Sequence, residues 1–235
     1  MILPQGLLTP PIAHRGLWRV GGAPENSLAA FADACARGFG IELDVRLSAD
    51  GEAMVFHDER LERMAGLDGA VHQMSAGELA KVPLRGGPER IPTLEQVLDL
   101  VAGRSLVLIE IKSPPPEDAL EERVAELLDA YDGPAAVIGF HPDALRWFAV
   151  NRPDVPRGLD ALGLGDEAAD AAFAQALDIA QPHFLVLEQS SAAAAPAKEA
   201  RAAGRPVIAW TIRSPAEARA VAGVADNFIF EGFDG

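Results

Sequence analysis

The stretch "IELDVRLSADGEAMVFHD", residues 41–58, sets Glu42 and Asp44 two positions apart in an apolar run and then delivers His57. Residues i and i+2 of a β-strand project from one face, about 6.6 Å apart. The two acids therefore share a face, while Ile41, Leu43 and Val45 take the other. Two carboxylates turned into a protein interior repel each other and lose hydration unless a cation accompanies them. A solvated edge strand would escape that cost, but the flanking residues are strongly apolar. The stretch "SLVLIEIK", 105–112, repeats the theme with Glu110 and Lys112 set among Leu108, Ile109 and Ile111. A buried ion pair would account for those two alone. Together, Glu42, Asp44 and Glu110 supply three oxygen ligands and no thiolate, which suits a hard divalent cation such as Mg²⁺ or Ca²⁺.

Two histidines close strand-like runs near these acids: His14 in "IAHRG" and His57 in "VFHD". A lone histidine is usually structural, but a pair can supply one general acid and one general base near neutral pH. Arg15 follows His14 and can fork onto phosphate oxygens. His72, His141 and His183 lie elsewhere, and surface or structural roles suit them better. "LGLGDE", residues 162–167, lacks the spacing of a dinucleotide-binding loop.

Something must bring these residues to one place. Eight strand-length apolar runs recur along the chain, at 11–15, 40–45, 105–112, 135–141, 156–162, 183–189, 206–212 and 226–233. Helical stretches lie between them. "ENSLAAFADACARG" has Asn26 or Ser27 as its cap and stops at Gly38; "TLEQVLDLVAG" starts at Thr93, and "SPAEARAVAG" starts at Ser214. "PEDALEERVAELLDAYDG" carries acids in its first turn, which suits the helix dipole, and the Ala-rich 190–203 segment reads as one ordinary helix. Alternation of this kind builds a parallel sheet, and eight repeats imply an α/β fold of the (β/α)₈ TIM-barrel type. Residues 52–92 form a small insertion between strand 2 and helix 2, so that 1–235 make one barrel domain. Such barrels carry their chemistry at the C-terminal strand ends, where all the candidate residues fall.

Composition narrows the function. The 235 residues are 49% hydrophobic and 23% charged, enough for a sizeable core. A net charge of −15 argues against nucleic acid or anionic lipid as a partner. One cysteine, Cys35, permits no intrachain disulfide and reads as a small buried apolar residue in a helix. The N-terminal residues "MILPQGLLTPPIAHRG" hold neither a basic signal region nor an apolar run of about 20 residues. These features point to a soluble cytoplasmic protein with no membrane insertion.

In "AHRG", "APENSLAAFADACARG", "IELDVRLSADGEAMVFHDERLERMAG", "IPTLEQVL", "LVLIEIK", "IGFHPDALRWF" and "VIAWTI", the chain resembles the glycerophosphodiester phosphodiesterase family. The resemblance runs in order through nearly the whole chain. It implies a metal-dependent barrel that hydrolyses small-molecule glycerophosphodiesters to glycerol 3-phosphate and an alcohol. On that pattern Glu42, Asp44 and Glu110 hold one divalent cation, and His14 and His57 form the acid–base pair. Arg15 and Lys112 contact the phosphate, and Trp210 lines the glycerol side. The attacking group is water or the neighbouring glycerol hydroxyl.

The chain departs from the family pattern at Gly139-Phe140, where Ser-Phe is frequent, and at Arg213, where Asn is usual. It departs also at Met64 and in "FIFEGFDG", where the family's last strand commonly ends in Asp and a Pro-containing loop. Other readings include a phospholipase D-like barrel acting on lipid head groups, which would need an apolar docking rim. A non-catalytic phosphodiester-binding barrel would be expected to lose a histidine or an acid. A barrel metalloenzyme of unrelated chemistry is the remaining alternative.

Overall fold

The computed structural model describes residues 3–112 and 118–235. Its strands are β1 Ile12–His14, β2 Gly40–Leu47, β3 Ala53–Val55, β4 Val107–Ile111 and β5 Ala135–Gly139, followed by β6 Arg157–Ala161, β7 Phe184–Glu188, β8 Val207–Ile212 and β9 Asn227–Phe230. β3 pairs antiparallel with β2 and stands outside the ring. The other eight are parallel neighbours in the order β1-β2-β4-β5-β6-β7-β8-β9, and β9 returns to β1. This is the expected (β/α)₈ barrel.

Each strand sorts its side chains by parity. On β2, Ile41, Leu43 and Val45 face the surrounding helices and join the larger apolar core. The opposite parity fills the barrel interior, where Ile12, Leu108, Ile138, Phe184, Val186 and Ile208 pack together. Phe184 needs room that β6 supplies by having no side chain at Gly158: a Cβ there would lie 2.3 Å from the Phe184 ring. Toward the C-terminal strand ends the inward positions turn from apolar to ionisable. That switch of chemistry along the barrel axis creates the site.

The helices that cover the ring follow the capping signals. α1, Leu28–Ala36, is capped by Ser27, whose Oγ accepts from the Ala30 amide. Among the short helices α2 Glu62–Ala65 and α3 Ala76–Leu79 lie in the 52–92 excursion, and α4 Leu94–Val101 resumes the barrel pattern. Thr93 and Gln96 exchange side-chain-to-backbone hydrogen bonds at the start of α4. α5 Ala119–Asp129, α6 Pro142–Asn151, α7 Glu167–Ala180, α8 Ala195–Ala202 and α9 Pro215–Val221 complete the layer. The expected start of α5 at Pro116-Glu117 lies outside the described residues; Glu121 and Glu122 stand in its first turn. The Ala-rich 190–203 segment is not one helix. A 3₁₀ turn at Ser191–Ala193 precedes α8, and Ala194, with extended backbone, separates them just before Pro196. Proline has no amide hydrogen to donate and suits the first turn of a helix rather than its interior.

The excursion has an apolar cluster of its own, including Met54, Phe56, Leu61, Met64, Leu79 and Ile91. Met64 is buried there. Cys35 is half-buried against the main core rather than fully enclosed. Among the described residues no helix is long and apolar enough to cross a membrane.

His183 precedes β7 at the N-terminal end of the barrel, away from the acids. Its Nδ1 accepts the Arg157 amide at 3.1 Å. Burial, with Arg157 and Arg205 nearby, lowers its pKa from 6.5 to about 4. A depressed histidine contributes stability that is present above its unfolded value and is lost as pH falls through its folded value. Replacing His183 with Gln should therefore flatten the decline in Tm between pH 6.5 and 4, measured by calorimetry. Parallel curves for the two proteins would contradict this assignment.

Candidate active site

Strand register builds the site. His14 on β1 lies opposite Glu42 on β2, and Asp44 on β2 lies opposite Glu110 on β4. All three acids are buried, with Asp44 fully so. Oxygens of Glu42, Asp44 and Glu110 come within 4.8 Å of one another, a spacing that can hold a metal ion. The sequence-predicted ligand set is therefore assembled at one point.

Two basic side chains enter the same space. Lys112 donates to Glu110 Oε1 at 2.6 Å and stands 3.1 Å from Asp44 Oδ1. Arg15 Nε lies 3.2 Å from Asp44 Oδ2, and the Arg15 amide donates to Glu42 Oε2 at 3.0 Å. The local fold explains that second contact. Arg15 has φ 56°, and Gly16 follows at φ 79°. A Cβ on Gly16 would come within 2.9 Å of Ala30 and of the Phe31 ring. The "HRG" turn thus needs its glycine to lay the chain against α1.

The charges set one another's protonation. Burial alone would raise Asp44, but Lys112 and Arg15, helped by His57 and His14, hold it well below the ordinary carboxylate range. Burial, with Asp44 and Glu110 alongside, raises Glu42 well above that range. Burial and Asp44 push Glu110 up to about 7. Two buried carboxyls that resist ionisation beside a third that is ionised are short of positive charge. That is the electrostatic demand a divalent cation meets, so the donor set fits the expected ion.

Both sequence-predicted histidines reach this mouth. His14 Nδ1 lies 2.6 Å from Glu231 Oε2, and its Nε2 lies 3.9 Å from Glu42 Oε2. His57 Nδ1 lies 2.8 Å from Asp58 Oδ1. Burial lowers the His57 pKa, against the pull of Asp44. Each imidazole thus has its Nδ1 engaged by a carboxylate, which in the neutral ring leaves the Nε2 lone pair free.

Trp210 stands on β8 at the same end, edge-to-face with Phe140 at 5.6 Å between ring centres. Its indole N–H donates to the Val186 carbonyl. The ring therefore offers a ligand its apolar surface and no donor. His141, exposed before α6, and His72, exposed in the excursion, make no contact with the acids among the described residues.

Several site residues escaped sequence reasoning. Asn26, also at φ 56°, donates its side-chain amide to Asp44 Oδ2 at 2.8 Å. Glu25, within "PENS", is buried between Arg15 and Arg63, at 2.8 and 2.7 Å. Arg63 also pairs with Asp58, so an unbroken chain of ion pairs links Arg15 to His57. Asp160, inward on β6, is buried with no hydrogen-bond partner for either oxygen among the described residues. Burial, reinforced by Glu110, raises its pKa well above the carboxylate range. Alternation on "RGLDA" was a usable signal for Asp160. Glu25 and Arg63 join through long-range contacts that no local pattern encodes.

Comparison with known proteins agrees with this geometry. The model of the Glycerophosphoryl diester phosphodiesterase family matches residues 14–228. A glycerophosphodiester phosphodiesterase of Bacillus altitudinis is 35% identical over 160 residues, 63% of this chain and 64% of that protein. The matches span about a third to two thirds of the curated relatives' own length, from 33% to 66%. An Oleispira antarctica phosphodiesterase, solved in complex with the product sn-glycerol-3-phosphate, superposes with a TM-score of 0.82 at 27% identity. That match covers 94% of this chain and 91% of the other. A glycerophosphodiester phosphodiesterase of Thermotoga maritima superposes at 0.76 with 28% identity, covering 93% and 92%. With a family match over most of its length, and with the acids and histidines gathered at one barrel mouth, the chain belongs to the glycerophosphoryl diester phosphodiesterase family.

Proposed function

We propose that the protein hydrolyses glycerophosphodiesters to glycerol 3-phosphate and an alcohol, with one divalent cation, Mg²⁺ or Ca²⁺, held by Glu42, Asp44 and Glu110. The observation that carries this reading is the convergence of two carboxylate-backed imidazoles on a buried three-carboxylate cluster. The product bound by the Oleispira antarctica relative supports the substrate class.

When bound, the cation supplies charge neutralisation to the phosphodiester and to the charge that grows on its oxygens during displacement. The rest falls to side chains. His14 and His57 act through Nε2, one taking the proton of the attacking group, water or the neighbouring glycerol hydroxyl whose cyclic phosphate water then opens, and the other giving a proton to the departing alcohol oxygen. Arg15 and Lys112 take the phosphate oxygens, a role supported by their position on either side of Asp44. Trp210 with Phe140 forms an apolar wall, which suits the carbon face of a glycerol unit. The net charge of −15 favours a small soluble substrate over a nucleic acid or an anionic lipid surface. A cytoplasmic location completes the reading, in keeping with a single free cysteine.

General acid–base groups typically contribute about 10²–10⁴-fold. Changing His14 or His57 to Ala should each lower kcat by roughly that factor. Release of glycerol 3-phosphate from glycerophosphocholine, glycerophosphoethanolamine and glycerophosphoglycerol measures it. Near-normal turnover by purified, folded His57→Ala would end the acid–base assignment.

The cation is tested separately from turnover. An ion at about a hundred times its Kd stabilises the native state by ~2.7 kcal/mol, about 5–10 °C in Tm at this size. Mg²⁺ or Ca²⁺ added to chelator-treated protein should raise Tm by that order, and Glu110→Gln should abolish the rise. An unchanged Tm, with turnover undiminished after thorough chelation, would remove the ion from the proposal.

A further inference from the structure

Glu231 follows β9 and belongs to neither the acid cluster nor the histidine pair. It is buried enough to be only 15% exposed, and it bridges two partners from different elements. Oε2 meets His14 Nδ1 at 2.6 Å, and Oε1 accepts from Arg213 Nε at 2.8 Å. Backbone contacts fix both ends of the bridge. The Glu231 amide donates to the Ile212 carbonyl at the end of β8. The Arg213 amide donates to Glu217 in the first turn of α9. Arg213 and the "FIFEGFDG" ending are two of the chain's departures from its family pattern; here Arg213 meets Glu231 of that ending, and Glu231 meets His14.

From this geometry we infer that Glu231, held by Arg213, is the positioning residue of His14. It fixes the proton on Nδ1 and turns the bare Nε2 toward the substrate side of the acid cluster. The physical basis is direct. A neutral imidazole has one donor nitrogen and one acceptor nitrogen, and the ring alone does not fix which is which. A carboxylate can only accept, so the nitrogen beside it carries the hydrogen. Nε2 is then the basic atom, and it lies 3.9 Å from Glu42. The 2.6 Å contact also fixes the plane of the ring, because Nδ1 can reach Glu231 in one orientation only. Arg213 closes the other oxygen and removes the freedom of a long side chain to swing away. His57 has a parallel arrangement in Asp58 and Arg63, but there the acid is its chain neighbour. His14 borrows its acid from the far end of the chain, so its orientation depends on closure of the barrel between β9 and β1.

The inference rests on the hydrolase reading, and one measurement separates the two. In full-length protein with ¹⁵N-labelled histidine, NMR of the neutral His14 ring should show the hydrogen on Nδ1. In Glu231→Gln the amide can still accept, so that tautomer should persist at least in part while kcat falls. In Glu231→Ala the hydrogen should move to Nε2. With Mg²⁺ and glycerophosphocholine, Glu231→Gln should lose about 10- to 100-fold in kcat, the order found when the carboxylate behind a metal-bound imidazole is removed. KM should stay within about twofold, because the group does not touch substrate. Glu231→Asp should recover part of the loss. A Glu231→Ala protein that keeps the wild-type tautomer, or a Glu231→Gln protein with kcat within about twofold of wild type, would overturn the role. If wild type itself turns over no glycerophosphodiester, the hydrolase reading fails, and the tautomer result still decides the positioning claim.

Discussion

The parallel register of β1, β2 and β4 is the constraint from which the site follows. It sets His14 against Glu42 and Asp44 against Glu110, so each ionisable side chain has its neighbour one strand away. A slip of one residue would send the acids into the helix layer and bring Leu43 and Ile109 to the mouth. Register is defended by burial, because β2 is enclosed on both faces and its outward residues are packed under helices. The apolar half of the strand pins the polar half. An exposed edge strand could not concentrate so much charge, since nothing would enforce the alignment.

Concentrating charge creates a second demand. Three acids in a dry space are tolerated because Arg15 and Lys112 are delivered with them, one by a left-handed turn and the other by strand parity. The uneven result is chemically useful. Asp44 remains ionised, while Glu42 and Glu110 are left wanting more positive charge. A site balanced fully by its own cations would have little reason to take up an ion.

Local pattern was informative in proportion to how local the physics is. Alternation revealed the inward face of β2 and β4, capping residues marked α1, α4 and α9, and the β–α rhythm implied closure into a barrel. The same logic failed at Pro196, where an Ala-rich run hid a break between a 3₁₀ turn and α8. It also passed over Glu25, Arg63 and Glu231, and it marked Arg213 only as a departure from the family pattern. Each of these is an ordinary charged residue in its own neighbourhood and acquires meaning only through partners far away in the chain. Glu231 lies 217 positions from His14. The "FIFEGFDG" ending was visible as a departure from the family pattern, but nothing local connected it to an imidazole.

The excursion that holds α2 has a hydrophobic cluster separate from those of the barrel, yet its Arg63 grips both Glu25 and Asp58. A unit with its own small core can open while the larger ring stays closed. Such an opening would free Asp58, and with it His57, without disturbing the carboxylates on the strands. The Asp58–His57 contact and the integrity of the barrel are therefore separable features of this chain. Mild heat or denaturant should reach the first before the second, leaving a folded barrel whose His57 has lost its contact with Asp58.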